Sequence, residues 1–130
     1  MRLAEVKKYA AETRVLDDPL FASRLAEAEN ELLALELTQA RVVSDSSGGE
    51  PNPASSVLKL RGSQLQQIAT ELLVEVAGPD ALPFEAGDDI SSPRWAQGSA
   101  PHYLNYRKTS IYGGSNEVQR TIIASTILGL

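Results

Sequence analysis

The chain has 130 residues, the size of one ordinary domain, and its 42% hydrophobic and 22% charged residues are typical of a folding chain. Its formal net charge of -5 argues against binding to nucleic acid or to an anionic membrane surface. Cysteine is absent and His102 is the one histidine, which excludes disulfides, thiolate chemistry and a polyhistidine zinc site. Catalysis by the chain alone would depend on carboxylates, on Lys59 or Lys108, or on a borrowed cofactor.

The first half of the sequence predicts two helices. A short charged helix is expected over about residues 2–13, with Leu3, Val6 and Ala10 on one side. Asp18 and Pro19 have the pattern of an N-cap followed by a first helical residue. The helix that they begin is predicted to reach about residue 43, because apolar residues recur at a spacing of four, three, four and three: Phe21, Leu25, Ala28, Leu32 and Leu35.

A polar connector, residues 44–53, separates this helix from the next, since its glycines and prolines prevent helix continuation. Asn52 and Pro53 repeat the pattern of cap and first residue. The third helix is predicted to end at Gly78, and Gly62 either weakens it locally or lets a neighbouring helix approach closely. Its apolar stripe consists of Leu58, Leu65, Ile68, Leu72 and Val76.

A long loop is predicted over residues 79–101, with four prolines and the only tryptophan, Trp95. A short helix or turn should follow from His102 to Ser110, and a last helix should run from Ser115 or Asn116 to about residue 128. Because no segment alternates with period two, we expect an all-α fold, an antiparallel four-helix bundle forming a single domain over residues 1–130.

The most informative motif is IYGGSNEVQR, residues 111–120. Its two glycines permit positive φ and let the backbone approach a ligand closely. Ser115, Asn116 and Glu117 lie where the amides of the first helical turn are unpaired, an arrangement that receives anionic or polar groups. The alternative is a Gly-Gly turn followed by a capped helix, with no ligand involved.

Residues 105–130 resemble the C-terminal signature of the acyl-CoA dehydrogenase family of flavoproteins, a pattern close to Arg-x-x-x-Ile-Tyr-x-Gly-Thr/Ser-x-Glu-x-Gln-Arg. The segments LKLRGSQLQQIATELLVEVAG and LAEAENELLALELTQAR are similar to preceding bundle helices of bacterial members. Only the last part of the resemblance is specific. The residues that match there in order are Arg107, Ile111, Tyr112, Gly114, Ser115, Glu117, Gln119 and Arg120.

This resemblance implies a four-helix bundle that contributes part of the FAD and substrate site and the subunit contacts of an FAD-dependent enzyme. Such enzymes oxidise an acyl-CoA thioester to the 2-enoyl-CoA. A carboxylate takes the α-proton, the β-hydrogen leaves as hydride to the flavin, and an electron-transfer flavoprotein takes the electrons. The resemblance also implies a homo-oligomer or hetero-oligomer. Because no apolar run reaches the roughly 20 residues that cross a bilayer and the first residues lack a signal-peptide core, we expect a cytoplasmic protein without a membrane span.

Carried over residue by residue, the resemblance places substrate beside Gly113 and Gly114, and FAD beside Ser115, Asn116 and Glu117. In many members the catalytic base is a Glu at the position of Gly113, which here has no side chain to accept a proton. Other members place the base on an earlier bundle helix, at a position that falls before or around Met1. We therefore assign no catalytic residue to this chain and expect it to be inactive alone.

Two further flavin motifs depart from the family pattern. The Gln-x-x-Gly-Gly run is replaced by Glu75-Val76-Ala77-Gly78-Pro79, and the Arg-x-x-Phe motif, expected around Lys8 and Ala11, is not preserved. These departures weaken the case for tight FAD binding by this chain alone. Two alternatives to an enzyme domain stay open: a non-catalytic subunit of a heteromeric acyl-CoA dehydrogenase, which suits Gly113, and a helical interaction module.

Other polar residues each have a functional and a structural interpretation. Asp17-Asp18 and Asp88-Asp89 form a metal or acid–base pair, or a cap and a solvated loop. His102 is a proton shuttle or a structural histidine, and Trp95 with Arg94 covers a ligand or anchors the long loop. Arg107 and Lys108 bind a phosphate of CoA or FAD, or balance the acidic surface. No metal site is predicted.

Overall fold

The computed structural model describes residues 3–45, 52–84 and 91–130, and within these ranges it contains helices, turns and no strand. The predicted all-α fold is confirmed, whereas the antiparallel four-helix arrangement and the single-domain boundary stay predictions. The α-helices of the described residues are α1 (Leu3–Glu12), α2 (Pro19–Asp45), α3 (Ser55–Ala77), α4 (Ser99–Tyr106) and α5 (Asn116–Ile123). None of them is long and apolar enough to cross a bilayer.

Two predicted starts involve a side-chain cap. At the start of α2, the Asp18 carboxylate accepts the Leu20 N–H at 2.9 Å, and Pro19 is the first helical residue. The Asn52 side-chain oxygen likewise accepts the Ala54 N–H at 2.9 Å, but one turn separates it from the first residue of α3. The α2 helix ends at Asp45, so residues 44 and 45 of the predicted connector over residues 44–53 are helical, and residues 46–51 lie outside the described residues.

The apolar stripes predicted for α1, α2 and α3 meet in one core. Val6, Phe21, Leu25 and Leu72 are its largest fully buried side chains, and Leu32 and Leu35 pack against it from the outer part of α2. Two residues of the predicted α3 stripe lie outside this core: Leu58 is half-buried, and Ile68 is 40% exposed on an open groove between α2 and α3. A Cβ added to Gly62 would lie 3.7 Å from Leu35, an ordinary contact, so the approach of α2 does not require glycine there.

The predicted loop over residues 79–101 is shorter in the structure than in the prediction. Gly78, with a φ of 53°, ends α3 as expected, but a 3₁₀ turn continues to Ala81. Helix α4 begins at Ser99 and contains Pro101 in its first turn, where a missing N–H leaves no helical bond unmade. Residues 85–90 lie outside the described residues. Trp95 anchors the described part of the loop before α4 to α1, because its ring stacks on that of Tyr9 with 4.1 Å between the ring centres.

The central helix is α3, which contacts α1, α2, α4 and α5. It presents an apolar face to α1 and α2, and its polar side chains Lys59 and Gln67 bond to the segments from Tyr106 onward. The last helix begins after Ser115, as predicted, and after Ile123 it widens into a π-helical turn, Ala124–Leu128. This arrangement brings the motif of residues 111–120 against the polar face of α3.

Candidate functional site

The polar face of α3 carries three side chains at successive helical turns, Lys59, Ser63 and Gln67. Positions four residues apart lie on one side of a helix, so these side chains form a row. The Gln67 amide nitrogen lies 3.4 Å and 3.2 Å from the carbonyl oxygens of Tyr106 and Arg107. The row therefore holds the end of α4 and the 3₁₀ turn that follows it, Arg107–Ser110.

Between that 3₁₀ turn and α5 lie residues 111–115, here called the glycine loop. Gly113 and Gly114 adopt left-handed φ values of 66° and 88°, which glycine adopts without the steric cost that a Cβ imposes. A Cβ added to Gly113 would meet open space, whereas one added to Gly114 would lie 2.6 Å from the side-chain nitrogen of Gln119. Both glycines are exposed, so the backbone of the loop is accessible from outside.

Ser115 is the N-cap of α5, as predicted, and its hydroxyl oxygen accepts the Val118 N–H at 3.4 Å. The exposed carboxylate of Glu117 lies beside this cap. Its pKa is lowered from the ordinary glutamate value, chiefly because its own backbone N–H donates to it, then because the Ser115 hydroxyl donates to it. More distant attraction to Arg120 and Lys59 adds to the effect. Glu117 is therefore an anion at neutral pH.

Asn116 and Gln119 are turned inward. Asn116 is buried, and its side-chain oxygen accepts from Lys59 Nζ at 3.1 Å and lies 3.0 Å from the Ser63 hydroxyl. Gln119 is buried beneath Gly114. Of the five predicted site residues, the structure thus exposes Gly113, Gly114 and Glu117, leaves Ser115 half-buried at the cap, and points the Asn116 side chain away from the exposed surface.

Arg107 and Lys108 have different partners. The Arg107 guanidinium lies 4.3 Å from the centre of the Tyr103 ring and donates to the Gln67 carbonyl at 3.2 Å. Lys108 donates to the Asn105 side chain at 2.8 Å on the surface. Arg107 is therefore fixed to α3, whereas Lys108 makes a local contact within its own segment.

The remaining candidates have structural partners. Asp17 pairs with Arg14 at 3.0 Å and Asp18 caps α2, while residues 88–89 lie outside the described residues. The described ranges contain no group of three histidines, cysteines or carboxylates that could hold a metal ion. The His102 ring packs against Tyr106 with 4.3 Å between centres. These contacts favour the structural interpretation of each residue.

Residues at the positions of the two altered flavin motifs also contact other side chains of this chain. Glu75 accepts from Arg24 at 2.6 Å and so joins α3 to α2. Lys8 lies 5.1 Å from the centre of the Tyr9 ring on the surface of α1, and Ala11 is exposed beyond it. Neither position carries the side chain that the family pattern would place there.

An open groove of about 830 Å³ runs between α2 and α3, and Gln67 and Arg107 are among its lining residues. Its walls are held by ion pairs between the helices, in which Arg24 pairs with Glu71 and Glu75, and Arg61 with Glu31. Both arginines and glutamates line the groove, so it presents no single charge to a ligand. The glycine loop and the start of α5 remain the better candidate for a binding site.

The sequence that forms these helices and the glycine loop matches a known domain family. Over residues 3–128 the chain matches the family model described as "Acyl-CoA dehydrogenase, C-terminal domain". The chain therefore belongs to the acyl-CoA dehydrogenase family, and the resemblance found in its sequence is confirmed.

Two curated relatives bear the name acyl-CoA dehydrogenase IpdE1. The protein from Mycobacterium tuberculosis is 32% identical over 128 residues, which are 98% of this chain and 31% of the relative. The protein from Mycolicibacterium smegmatis is 33% identical over 121 residues, 93% of this chain and 28% of the relative. The chain thus spans about a third of the length of these relatives. No solved structure matches it.

The row on α3 was not predicted as part of the site. In the sequence Lys59 is only one of the residues able to carry chemistry, and no motif includes Ser63 or Gln67. Their spacing of four residues, opposite the apolar stripe, is a signal in the sequence for a polar face on α3. The sequence does not indicate the partner of that face, because Asn116 is 57 residues from Lys59 along the chain.

Proposed function

We propose that this chain is the C-terminal domain of an FAD-dependent acyl-CoA dehydrogenase, an oxidoreductase that converts an acyl-CoA thioester to the 2-enoyl-CoA. The observation that carries the proposal is the exposed glycine loop, which coincides with the family signature and leads directly into α5. In this proposal the loop forms one wall of the substrate site, and the first residues of α5 contact the cofactor.

The glycine loop suits a flat thioester because Gly113 and Gly114 place no side chain between the ligand and the backbone. A Cβ at Gly113 would meet open space, which leaves room beside the loop. Gly114 rests on Gln119 from the inner side, so the loop has a support beneath it. Backbone amides at such a loop are the groups that would orient a thioester carbonyl.

The residues at the start of α5 fit part of a flavin nucleotide. FAD presents hydroxyl and N–H donors as well as an anionic diphosphate. Glu117 is an exposed anion whose pKa is lowered, so it accepts hydrogen bonds from donors and repels a diphosphate. Ser115 and Glu117 would therefore hold hydroxyl or N–H groups of FAD, which, when bound, accepts the hydride from the substrate β-carbon. Because the Asn116 side chain faces α3, its contact would be through its backbone.

Exposed apolar side chains support the proposed role in subunit contacts. They are concentrated near the end of the chain and would be covered in a homo-oligomer or hetero-oligomer. The complete protein would act in the cytoplasm and pass its electrons to an electron-transfer flavoprotein. The exposed residues in question are Ile111, Tyr112, Val118, Ile127, Leu128 and Leu130.

Binding can be tested on the isotope-labelled chain by amide NMR titration with FAD and, separately, with a short acyl-CoA. Chemical shifts are suited to this test because they detect the weak binding expected of one wall of a site. We expect acyl-CoA to move the amides of Gly113 and Gly114, and FAD to move those of Ser115 and Glu117. Glu117→Gln should weaken the FAD response, and Glu27→Gln in the α2–α3 groove should leave it unchanged.

Chemical-shift changes confined to residues of that groove, or none at millimolar ligand, would overturn the proposed binding role.

A dye-reduction assay with FAD and acyl-CoA tests whether the chain alone is catalytically inactive. We expect no turnover by this chain alone, because Gly113 supplies no base and none is assigned elsewhere in it. Measurable turnover would disprove that assignment.

The same glycine favours a second candidate, a non-catalytic subunit that pairs with a base-bearing dehydrogenase. The specific observation is that Gly113 replaces the usual base while the other signature residues around it are kept. Co-purification of the chain with a longer, base-bearing homologue would support this candidate. Translation of the chain as part of one polypeptide with its own base would exclude it.

A further inference from the structure

We propose that Lys59 is a positioning residue that fixes the two ends of the glycine loop relative to each other. Its ammonium group donates to the Thr109 carbonyl at 3.2 Å and to the Asn116 side-chain oxygen at 3.1 Å. Thr109 lies two residues before the loop, and Asn116 is the first residue after it. One side chain on α3 thus connects the entrance and the exit of the loop.

The chemistry of the lysine side chain suits this role. An ammonium group has three N–H donors, so two can bind separate acceptors at the same time. Hydrogen bonds from a charged donor are stronger than neutral ones, and Lys59 is half-buried, where they are less weakened by water. In the described ranges no carboxylate lies within ion-pair distance of Lys59, so its two short contacts are those to Thr109 and Asn116.

The neighbouring side chains of the row cannot replace it. Ser63 has one hydroxyl hydrogen and lies near both the Asn116 oxygen and the Leu60 carbonyl, so it reaches only the exit of the loop. Gln67 contacts Tyr106, Arg107 and Thr109, all before the loop. Of the side chains in the described ranges, Lys59 is the one that bonds on both sides of residues 111–115.

The fixed shape would hold the backbone of Gly113 and Gly114 and the cap of α5 ready for a ligand, and this part of the inference rests on the proposed function. The bonds themselves can be tested without any ligand. The reporters are four amides whose hydrogen bonds tie down the two ends of the loop. At its start, Ile111 and Tyr112 donate to the Lys108 carbonyl, and at its end Val118 and Gln119 donate to Ser115.

The experiment is amide hydrogen exchange followed by NMR on Lys59→Met, which keeps the length of the side chain and removes its donors. We expect exchange at least about tenfold faster at all four reporters, and unchanged exchange at the amides of α1 and α2. Asn116→Ala removes the acceptor at one end only, so it should accelerate exchange at the amides of Val118 and Gln119 and not at those of Ile111 and Tyr112. Lys59→Arg, which keeps a charged donor, should restore most of the protection.

Lys7→Met is the matched control, because Lys7 also pairs across two helices, with Glu29 at 2.9 Å, but far from the loop. It should leave all four reporters unchanged. Unchanged exchange in folded Lys59→Met would overturn the proposal, and so would equal acceleration at both ends in Asn116→Ala. If Lys59→Met does not fold, the pattern in Asn116→Ala decides the question.

A positioning role also predicts an effect on binding. In the NMR titrations described above, Lys59→Met should weaken the acyl-CoA and FAD responses by about tenfold, the same factor as the expected loss of protection. Lys7→Met should leave them unchanged. Faster exchange in Lys59→Met with unaltered ligand affinity would show a purely structural bond and refute positioning. If the wild-type chain binds neither ligand, the proposed function fails, and the exchange result still reports on the bonds of Lys59.

Discussion

The two faces of α3 are stabilised by different interactions. Toward α1 and α2 the buried contacts are apolar, and side chains such as Phe21 and Leu72 are almost wholly removed from water. Toward α5 the buried side chains are the polar Asn116 and Gln119, while several apolar residues of the same segment remain exposed. The first face derives its stability from buried area, and the second derives a defined shape from directional hydrogen bonds. A loop that must present its backbone to a ligand needs the second kind of support.

The largest expected effect is on the apolar face. Phe21→Ala removes a ring that is 1% exposed, so we expect a loss of about 3–5 kcal/mol in the free energy of unfolding. Denaturant unfolding followed by circular dichroism measures this loss. Leu20→Ala, at a neighbouring residue that is 75% exposed, should cost about 0.5 kcal/mol or less. Similar losses in the two variants would mean that the α1–α2–α3 core does not carry the stability.

A smaller effect is expected where the segment before α4 is anchored to α1. Trp95 stacks on Tyr9 with 7° between the ring planes and is half-buried. Trp95→Ala should therefore cost about 1.5–3 kcal/mol, below the range for a fully buried tryptophan. A double-mutant cycle with Tyr9→Ala isolates the ring pair, and we expect a coupling of about 0.5–1.5 kcal/mol. Additive losses would contradict the anchoring role.

What could be predicted from the sequence differs between the two faces for the same physical reason. Apolar periodicity is local, so the stripe through Phe21 and Leu25 predicted the buried side of α2, and the caps at Asp18 and Ser115 followed from residues next to them. The burial of Asn116 depends on Lys59 and Ser63, which are more than fifty residues away. No local pattern contains such a pairing. The family signature identified the glycine loop, but not the row of α3 that supports it.

Substitutions at the two glycines of the loop distinguish the energetic cost of backbone conformation from the cost of packing. Gly113→Ala should cost about 1 kcal/mol, because its left-handed φ is strained for alanine while the added Cβ meets open space. Gly114→Ala should cost about 2–3 kcal/mol, since its Cβ would also displace the buried side chain of Gln119. Denaturant unfolding measures both. Equal losses would show that Gln119 yields without cost and that the inner support of the loop is weak.

The smallest effect concerns the cap of α5. Ser115→Ala removes the acceptor of the Val118 N–H, and because that bond is 3.4 Å long we expect a loss of about 0.5–1 kcal/mol. The same change removes a donor to Glu117, so the pKa of its carboxyl should rise toward the ordinary glutamate value. Carbon-detected NMR of the Glu117 carboxyl against pH measures this shift. Thr121→Ala, which removes a hydroxyl bonded to the Glu117 carbonyl, is the control and should leave that pKa unchanged.

The sign of the pH dependence follows from the direction of this pKa shift. A carboxyl whose pKa is lowered in the folded chain stabilises the fold above its unfolded pKa, and that stabilisation is lost as the pH falls through the folded value. In Ser115→Ala the two pKa values of Glu117 lie closer together, so its share of the acid destabilisation should shrink. An unchanged pKa in Ser115→Ala would assign the lowering to the backbone N–H and to the charges of Arg120 and Lys59. The Ser115 hydroxyl would then not contribute to stabilising the Glu117 anion at the start of α5, although the two side chains are in hydrogen-bonding contact.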